Sequence, residues 1–387
     1  MRICLVYDCL FPYTVGGAER WYRNLAQRLA AEGHDVTYLT LRQWPRAQRG
    51  VLPGVRIVAA GPRMALYHEA GQRRIAPPLV FGAGVLWHLL RHGHRYDVVH
   101  TASFPYFSLL AAALVRPLRR FRLVVDWFEF WSADYWREYL GGARGRVGHA
   151  VQALCLRVRQ HAFAFAELTA GRLRAHGLRG EVTVLRGLYV GALSPPAPVP
   201  AEPLVVFAGR HIPEKRAPAV VPAVGLARAT LPDLRGRVLG DGPERPAVLA
   251  AIAEHGLADV VEAPGFVPTE DVERDLARAL CLVLPSRREG YGLVVVEAAS
   301  LGTPTVLVRD PDNAATELIE DGVNGFVAAS ASPADLADAI VRVHAAGGGL
   351  RASTAAWFAE HAAGLSVDAS LDAVAASYGA APRSARS

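Results

Sequence analysis

Short runs of β-branched and apolar residues recur along this 387-residue chain, with longer helical patterns filling the intervals between them. No other feature constrains the fold as much, because strands separated by helices pair as parallel strands, each connected to the next over the face of a sheet. Strands are expected at residues 3–7, 36–40, 56–59, 97–100, 123–126 and 182–185, then at 204–208, 237–239, 260–262, 281–284 and 305–308. Between the two series, residues 194–203 read SPPAPVPAEP, with five prolines that exclude a helix or a central strand and leave a stiff linker. The length also exceeds what a single hydrophobic core usually organises. The chain is therefore read as α/β, with one Rossmann-like domain over residues 1–193 and a second from residue 204. Parallel sheets bind ligands beyond the carboxyl ends of their strands, so two such domains facing each other would line a cleft suited to a two-substrate reaction. No tandem repeat of 20–50 residues suggests a solenoid or propeller.

Composition narrows the setting. Apolar residues at 51% and charged residues at 20% describe a packed globular chain rather than a disordered one. Cys4, Cys9, Cys155 and Cys281 form no C-x-x-C pair, which argues against a disulfide framework or zinc knuckle and favours a reducing compartment. Met1 leads straight into a strand-like stretch carrying Asp8, without the apolar core of a signal peptide, so a cytoplasmic location is expected. Charge is divided unevenly: residues 1–193 hold 26 arginines against 12 acidic residues, whereas the remainder is net acidic. A basic half can attract an anionic acceptor, an acidic membrane surface or nucleic acid, or can be ordinary solvated surface.

Three clusters carry the chemistry. Gly16-Gly17-Ala18-Glu19 follows the first strand and opens a helix; a glycine pair there admits a phosphate to the helix amides or serves the turn itself. The strand at 204–208 runs into Gly209-Arg210-His211-Ile212-Pro213-Glu214-Lys215, and Lys215 is the only lysine of the chain. A forked guanidinium beside a flexible ammonium suits a diphosphate, although a lysine that merely survived on the surface fits too. The run EGYGLVVVE from Glu289 to Glu297 lies between a strand and a helix. Its glycines would turn loop amides towards a ligand, and its two carboxylates can accept hydrogen bonds from sugar hydroxyls.

These clusters, with Gly240-Asp241-Gly242-Pro243, Gly265-Phe266-Val267 and Asp321-Gly322-Val323-Asn324-Gly325, resemble glycosyltransferase family 4 in content and in order. The resemblance implies the GT-B fold, two Rossmann-like domains with parallel sheets facing across a central cleft. It implies acceptor binding by residues 1–193, nucleotide-sugar binding by residues 204–365, and a helix within 366–387 that crosses back to the first domain. The implied reaction is retaining: a hexosyl-type sugar leaves a UDP- or GDP-linked donor and joins an acceptor hydroxyl on the same face, the departing phosphate taking the acceptor proton. That acceptor is a glycan, a lipid-linked intermediate or a small natural product, and peripheral contact with the inner face of a membrane is compatible with it. No metal and no cofactor is implied beyond the nucleotide sugar, which is a co-substrate. Asp310-Pro311-Asp312 matches the D-x-D of another glycosyltransferase fold, but the rest of the chain does not.

Carried over residue by residue, the resemblance assigns the diphosphate to Arg210 and Lys215, lined by Gly16, Gly17, Gly209 and the amides of Gly290, Tyr291, Gly292 and Leu293. Glu289 would bind hydroxyls of the transferred sugar, Glu297 the ribose, and the backbone near Phe266 and Val267 the base. His100, at the end of the fourth strand, joins the catalytic candidates, or is a packed strand-end histidine. Family members often carry a second histidine two places later, where this chain has Ala102, and a histidine before an acid after strand five, where it has Phe128-Glu129. Asp126 and Glu129 thereby become acceptor-side candidates. The aromatic stretch from Trp127 to Trp136 is an acceptor platform or a core patch. A non-hydrolysing nucleotide-sugar epimerase of the same fold is the competing enzyme; a basic membrane or nucleic-acid module would leave Arg210, Lys215, Glu289 and Glu297 without a purpose. No nucleic acid is expected as a partner.

Overall fold

The computed structural model describes residues 1–45, 48, 50–66, 73–194 and 197–379; positions 195–196 of the proline-rich linker and residues 380–387 of the terminal segment lie outside the described residues. The chain divides into two compact units, one running to Arg186 and resuming at Asp368, the other spanning Gly187–Val367.

The first unit is built on β1 (Arg2–Val6), β2 (Asp35–Leu41), β3 (Arg56–Gly61), β4 (Val98–Ala102), β5 (Arg122–Trp127), β6 (Gln160–Ala164) and β7 (Gly180–Val184). All seven are parallel, in the order β3-β2-β1-β4-β5-β6-β7. The connecting helices are α1 (Gly17–Ala31), α2 (Ala76–His92), α3 (Tyr106–Arg119), α4 (Ala133–Leu140), α5 (Gly142–Leu156) and α6 (Glu167–Ala175). The central strands are buried from end to end, as β4 and most of β5 are, which is what a parallel sheet covered on both faces requires. Local signals set several boundaries. Ser132 caps α4 by accepting from the Tyr135 amide at 3.2 Å, and α3 stops where Arg120 turns left-handed at φ 57°.

The second unit carries β8 (Leu204–Ala208), β9 (Arg235–Leu239), β10 (Val261–Gly265), β11 (Cys281–Leu284), the two-residue β12 (Arg288–Glu289), β13 (Thr305–Val308), the two-residue β14 (Asp312–Asn313) and β15 (Gly325–Ala328). The main sheet is parallel, ordered β10-β9-β8-β11-β13-β15, and β12 pairs with β14 beside it. Around it stand α7 (Val220–Ala227), α8 (Arg245–Glu254), α9 (Thr269–Arg278), α10 (Leu293–Ser300) and α11 (Pro333–Leu365), which kinks at Gly347. Val205, Phe207, Val224, Val283 and Ile340 belong to the core beneath them. The last helix, α12 (Val367–Gly379), belongs to the first unit.

Four strands lie outside the sequence expectation: β6, β15 and the two-residue β12 and β14. Helix α5 ends at Leu156, and β6 (Gln160–Ala164) is an interior strand between β5 and β7 despite opening with Gln160 and His161. Those polar groups are absorbed locally: Gln160 Nε2 donates to the Cys155 carbonyl at 2.8 Å, and its Oε1 accepts from Trp127 Nε1 at 2.9 Å. The short β15 follows the Asp321–Gly325 turn and pairs with β13 at the edge of the sheet. The four cysteines are buried and unbridged, and burial pushes the Cys281 thiol up to about 12. Among the described residues no helix is long and apolar enough to cross a membrane.

Candidate functional site

The six-stranded sheet reverses its winding direction between β8 and β11, and the crevice beyond the carboxyl ends of such neighbours is where open parallel sheets bind ligands. The segment leaving β8 holds Gly209, Arg210 and the single turn Pro213–Lys215; that leaving β11 holds Ser286, Glu289 and Gly290. Two contacts join them. The Lys215 ammonium donates to Glu289 Oε1, which also accepts from Ser286 Oγ at 3.0 Å, and the Arg287 amide donates to the Glu214 carbonyl at 2.8 Å. The side chains of Lys215 and Glu289 are only 18% and 10% exposed, so solvent screens this pair less than a surface pair. Arg210 is exposed and makes no ion pair among the described residues.

The surrounding loops brace this pair. Arg216, left-handed at φ 49°, reaches Asp310 at 3.5 Å, and Asn313 Nδ2 bonds the carbonyls of Val308 and Ser286 at 3.0 and 3.2 Å. Behind Gly209, Gly240 adopts φ 122°, and a Cβ there would run into the Gly209 carbonyl. His211 is fully buried in the same corner; burial holds its imidazole below the ordinary value, with Asp241 pulling weakly the other way.

Gly292, at φ 94°, turns the chain into α10, leaving the amides of the first helical turn at the crevice end. Leu293 is half-buried, and Tyr291 is buried, which pushes its phenol well above the ordinary value. Glu297 lies half-buried about one turn into α10. Val267 and Phe266 follow β10, two strands from β8, and Phe266 is 83% exposed. The structure thus brings Lys215 and Glu289 into contact, keeps Arg210 open nearby in the chain, and spreads the remaining candidates along the same sheet edge.

The equivalent reversal in the first sheet lies between β1 and β4. Here His100 and Asp126 are interior, both 0% exposed, which fits the reading of His100 as a packed strand histidine. They occupy neighbouring strands. Asp126 Oδ2 accepts from Trp21 Nε1 at 2.8 Å, Oδ1 lies 2.8 Å from His100 Nε2, and His100 Nδ1 meets the Tyr378 hydroxyl at 2.6 Å. Glu129 remains half-buried and accepts from Trp131 Nε1 at 2.8 Å. Trp127, Phe130, Tyr135 and Trp136 are buried, so the aromatic stretch is mainly core. Gly16 caps α1 with the Glu19 carboxylate folded against it, and open space stands beside Gly17.

Sequence reasoning missed three contributors. Ser286 and Asn313 hold the Glu289 loop, and Asp8, just beyond β1, forms a buried ion pair with Arg73. An acid directly after the first strand was the available signal for Asp8; nothing local marked the other two.

Comparison with known proteins agrees with this architecture. A family model described as "Glycosyl transferase 4-like domain" matches residues 16–187, and one described as "Glycosyl transferases group 1" matches residues 202–346. Glycogen synthase of Mycobacterium tuberculosis is 28% identical over 369 residues, covering 87% of this chain and 84% of that protein. Among solved structures, the sucrose-phosphate synthase of Thermosynechococcus elongatus superposes with a TM-score of 0.79 at 21% identity, covering 97% of this chain and 98% of that one. The Anabaena protein HepE in complex with UDP-glucose gives 0.71 at 18% identity, covering 97% and 99%. The fold is GT-B. The chain belongs to the glycosyltransferases of the family 4 type.

Proposed function

We propose that this glycosyltransferase is retaining and metal-independent, and that it moves a hexosyl-type sugar from a nucleotide diphosphate sugar to an acceptor hydroxyl. The observation that carries the reading is the Lys215–Glu289 pair at the reversal of the second sheet, beside the exposed Arg210 and the start of α10. An ammonium has three donors, so Lys215 can keep Glu289 and still bind a phosphate oxygen, while Arg210 bridges two more. Glu289 then accepts from sugar hydroxyls with its remaining lone pairs, and Glu297 serves the ribose. Gly209, Gly290 and the Gly292–Leu293 amides complete the diphosphate lining, with Phe266 and Val267 at the base.

In the transfer, the bond from the anomeric carbon to the diphosphate oxygen breaks while the acceptor oxygen bonds to that carbon on the same face. The acceptor proton passes to the departing phosphate. Charge grows on the diphosphate as the bond opens, and fixed cations stabilise it without reorganising. One such pair at about 4 Å and an effective dielectric of about 20 amounts to about 4 kcal/mol before desolvation is subtracted.

UDP-glucose, the molecule bound to HepE, is the first donor to test, followed by GDP-, ADP- and dTDP-sugars. A ligand that binds only the folded state stabilises it by about 2.7 kcal/mol at roughly 100 times its Kd. The expected result is a thermal shift with one nucleotide class that disappears in Lys215→Ala; no shift with any donor rejects the reading.

A further inference from the structure

Two helices of the first unit present a surface that transfer chemistry does not use. α2 and α3 lie side by side and run the same way: Gly82 meets Phe107 near the start of α3, and the Leu90 carbonyl accepts from Arg119 at its end. Gly84 seats α2 on β3, since a Cβ there would strike the Ala60 carbonyl. With these inner faces fixed, α2 leaves Leu79, Ala83, Trp87 and Leu90 exposed at helical spacing, and α3 leaves Leu114 and Leu118. Trp87, Leu114 and Leu118 are each at least 66% exposed. Contiguous apolar surface of this kind marks an interaction site.

The carboxyl ends of the same helices are cationic. Arg91 and Arg95 stand exposed at the end of α2 and Arg120 at the end of α3, while Arg116 and Arg119 add charge there with their guanidiniums donating to the Arg159 and Leu90 carbonyls. Burial, then Arg95, Arg91 and His94, hold His92 below its ordinary value; burial, then Arg159 and Arg122, do the same to Arg116. From residue 73 to residue 125 the one acid is Asp97, and Arg2 takes it at 2.8 Å.

We propose that this face docks on an anionic lipid bilayer, with the leucines and Trp87 entering the headgroup layer and the arginines meeting lipid phosphates. Two features select that occupant. Nucleic acid would use the cations but not the apolar stripe, and a two-fold contact between copies would set cationic rims against each other.

The test is sedimentation of the full chain with vesicles of phosphatidylcholine alone or with about 30% phosphatidylglycerol, the anionic fraction supplying the surface potential. Binding is expected only to anionic vesicles, and is expected to be released at about 0.5 M salt, where screening is strong. The double variant Trp87→Ser/Leu118→Ser should lower the bound fraction about fivefold or more with unchanged Tm, since it removes the anchoring apolar area. Arg91→Glu/Arg95→Glu should do the same while keeping the thermal response to nucleotide sugars. No binding to anionic vesicles, equal binding to neutral ones, or indifference to both variants overturns the proposal. So does a wild-type dimer that the Trp87→Ser/Leu118→Ser variant dissociates.

Discussion

The two units wind their sheets in the same order and set their ionic groups differently at the reversal. In the second, the ionic groups lie on loops beyond the strand ends, partly open, with Arg210 exposed. In the first, His100 and Asp126 lie within the strands and are sealed, bonded to Trp21 and Tyr378. The topology therefore supplies a crevice, and the residues at the strand ends decide how far their charges stay open. Charges placed beyond the last ladder hydrogen bond keep donors and acceptors for a ligand; charges placed inside it spend them on each other.

The contrast is sharpest in a pair of substitutions expected to fail in opposite ways. Arg210→Gln should reduce nucleotide release from the donor more than tenfold, since half of a 4 kcal/mol interaction exceeds the ~1.4 kcal/mol that a decade of rate requires. Its free energy of unfolding in urea should stay within about 0.5 kcal/mol of wild type, the side chain being exposed. Asp126→Ala should do the reverse, costing about 2–3 kcal/mol in urea unfolding because Trp21 Nε1 and His100 lose their buried partner. The donor-induced thermal shift should survive. If Asp126→Ala abolishes donor binding at unchanged stability, Asp126 serves a ligand rather than the interior of the first unit.

A smaller effect probes the first unit by pH. Burial, and then His92, lower His88 to about 4, and its Nε2 lies 2.7 Å from the Tyr96 hydroxyl. The folded state thus takes up its proton later than the unfolded chain, so this contribution is intact above pH ~6.5 and is lost as pH falls towards ~4. After allowance for solvent screening the loss is about 1 kcal/mol. His88→Phe should flatten that part of the pH–stability curve; an unchanged slope would remove His88 from it.

Much of the fold could be read from the sequence because the strands at residues 204–208, 281–284 and 305–308 are almost wholly apolar runs, followed by Gly209, Pro285 and Arg309. Gln160–Ala164 could not, since its polar start is satisfied by Cys155 and Trp127, and no local pattern announces those bonds. At the candidate site, residue types were legible and their pairing was not. Lys215 and Glu289 meet because β8 lies beside β11, with Cys281 opposite Val205, an adjacency created by the crossover and absent from any window of sequence. Likewise, His100 stood out as a strand-end histidine, but only its three-dimensional neighbours show that it is enclosed.

The closing helix has a consequence for biosynthesis. Residues 187–367 form one unit from a continuous stretch of chain, whereas the other begins at Met1 and awaits α12. Until the ribosome has made Tyr378, His100 lacks the hydroxyl that meets its Nδ1, and Arg28 lacks Asp368 and Asp372, which it reaches at 3.2 and 2.5 Å. The unit that starts earlier in the chain is therefore completed after the one that follows it.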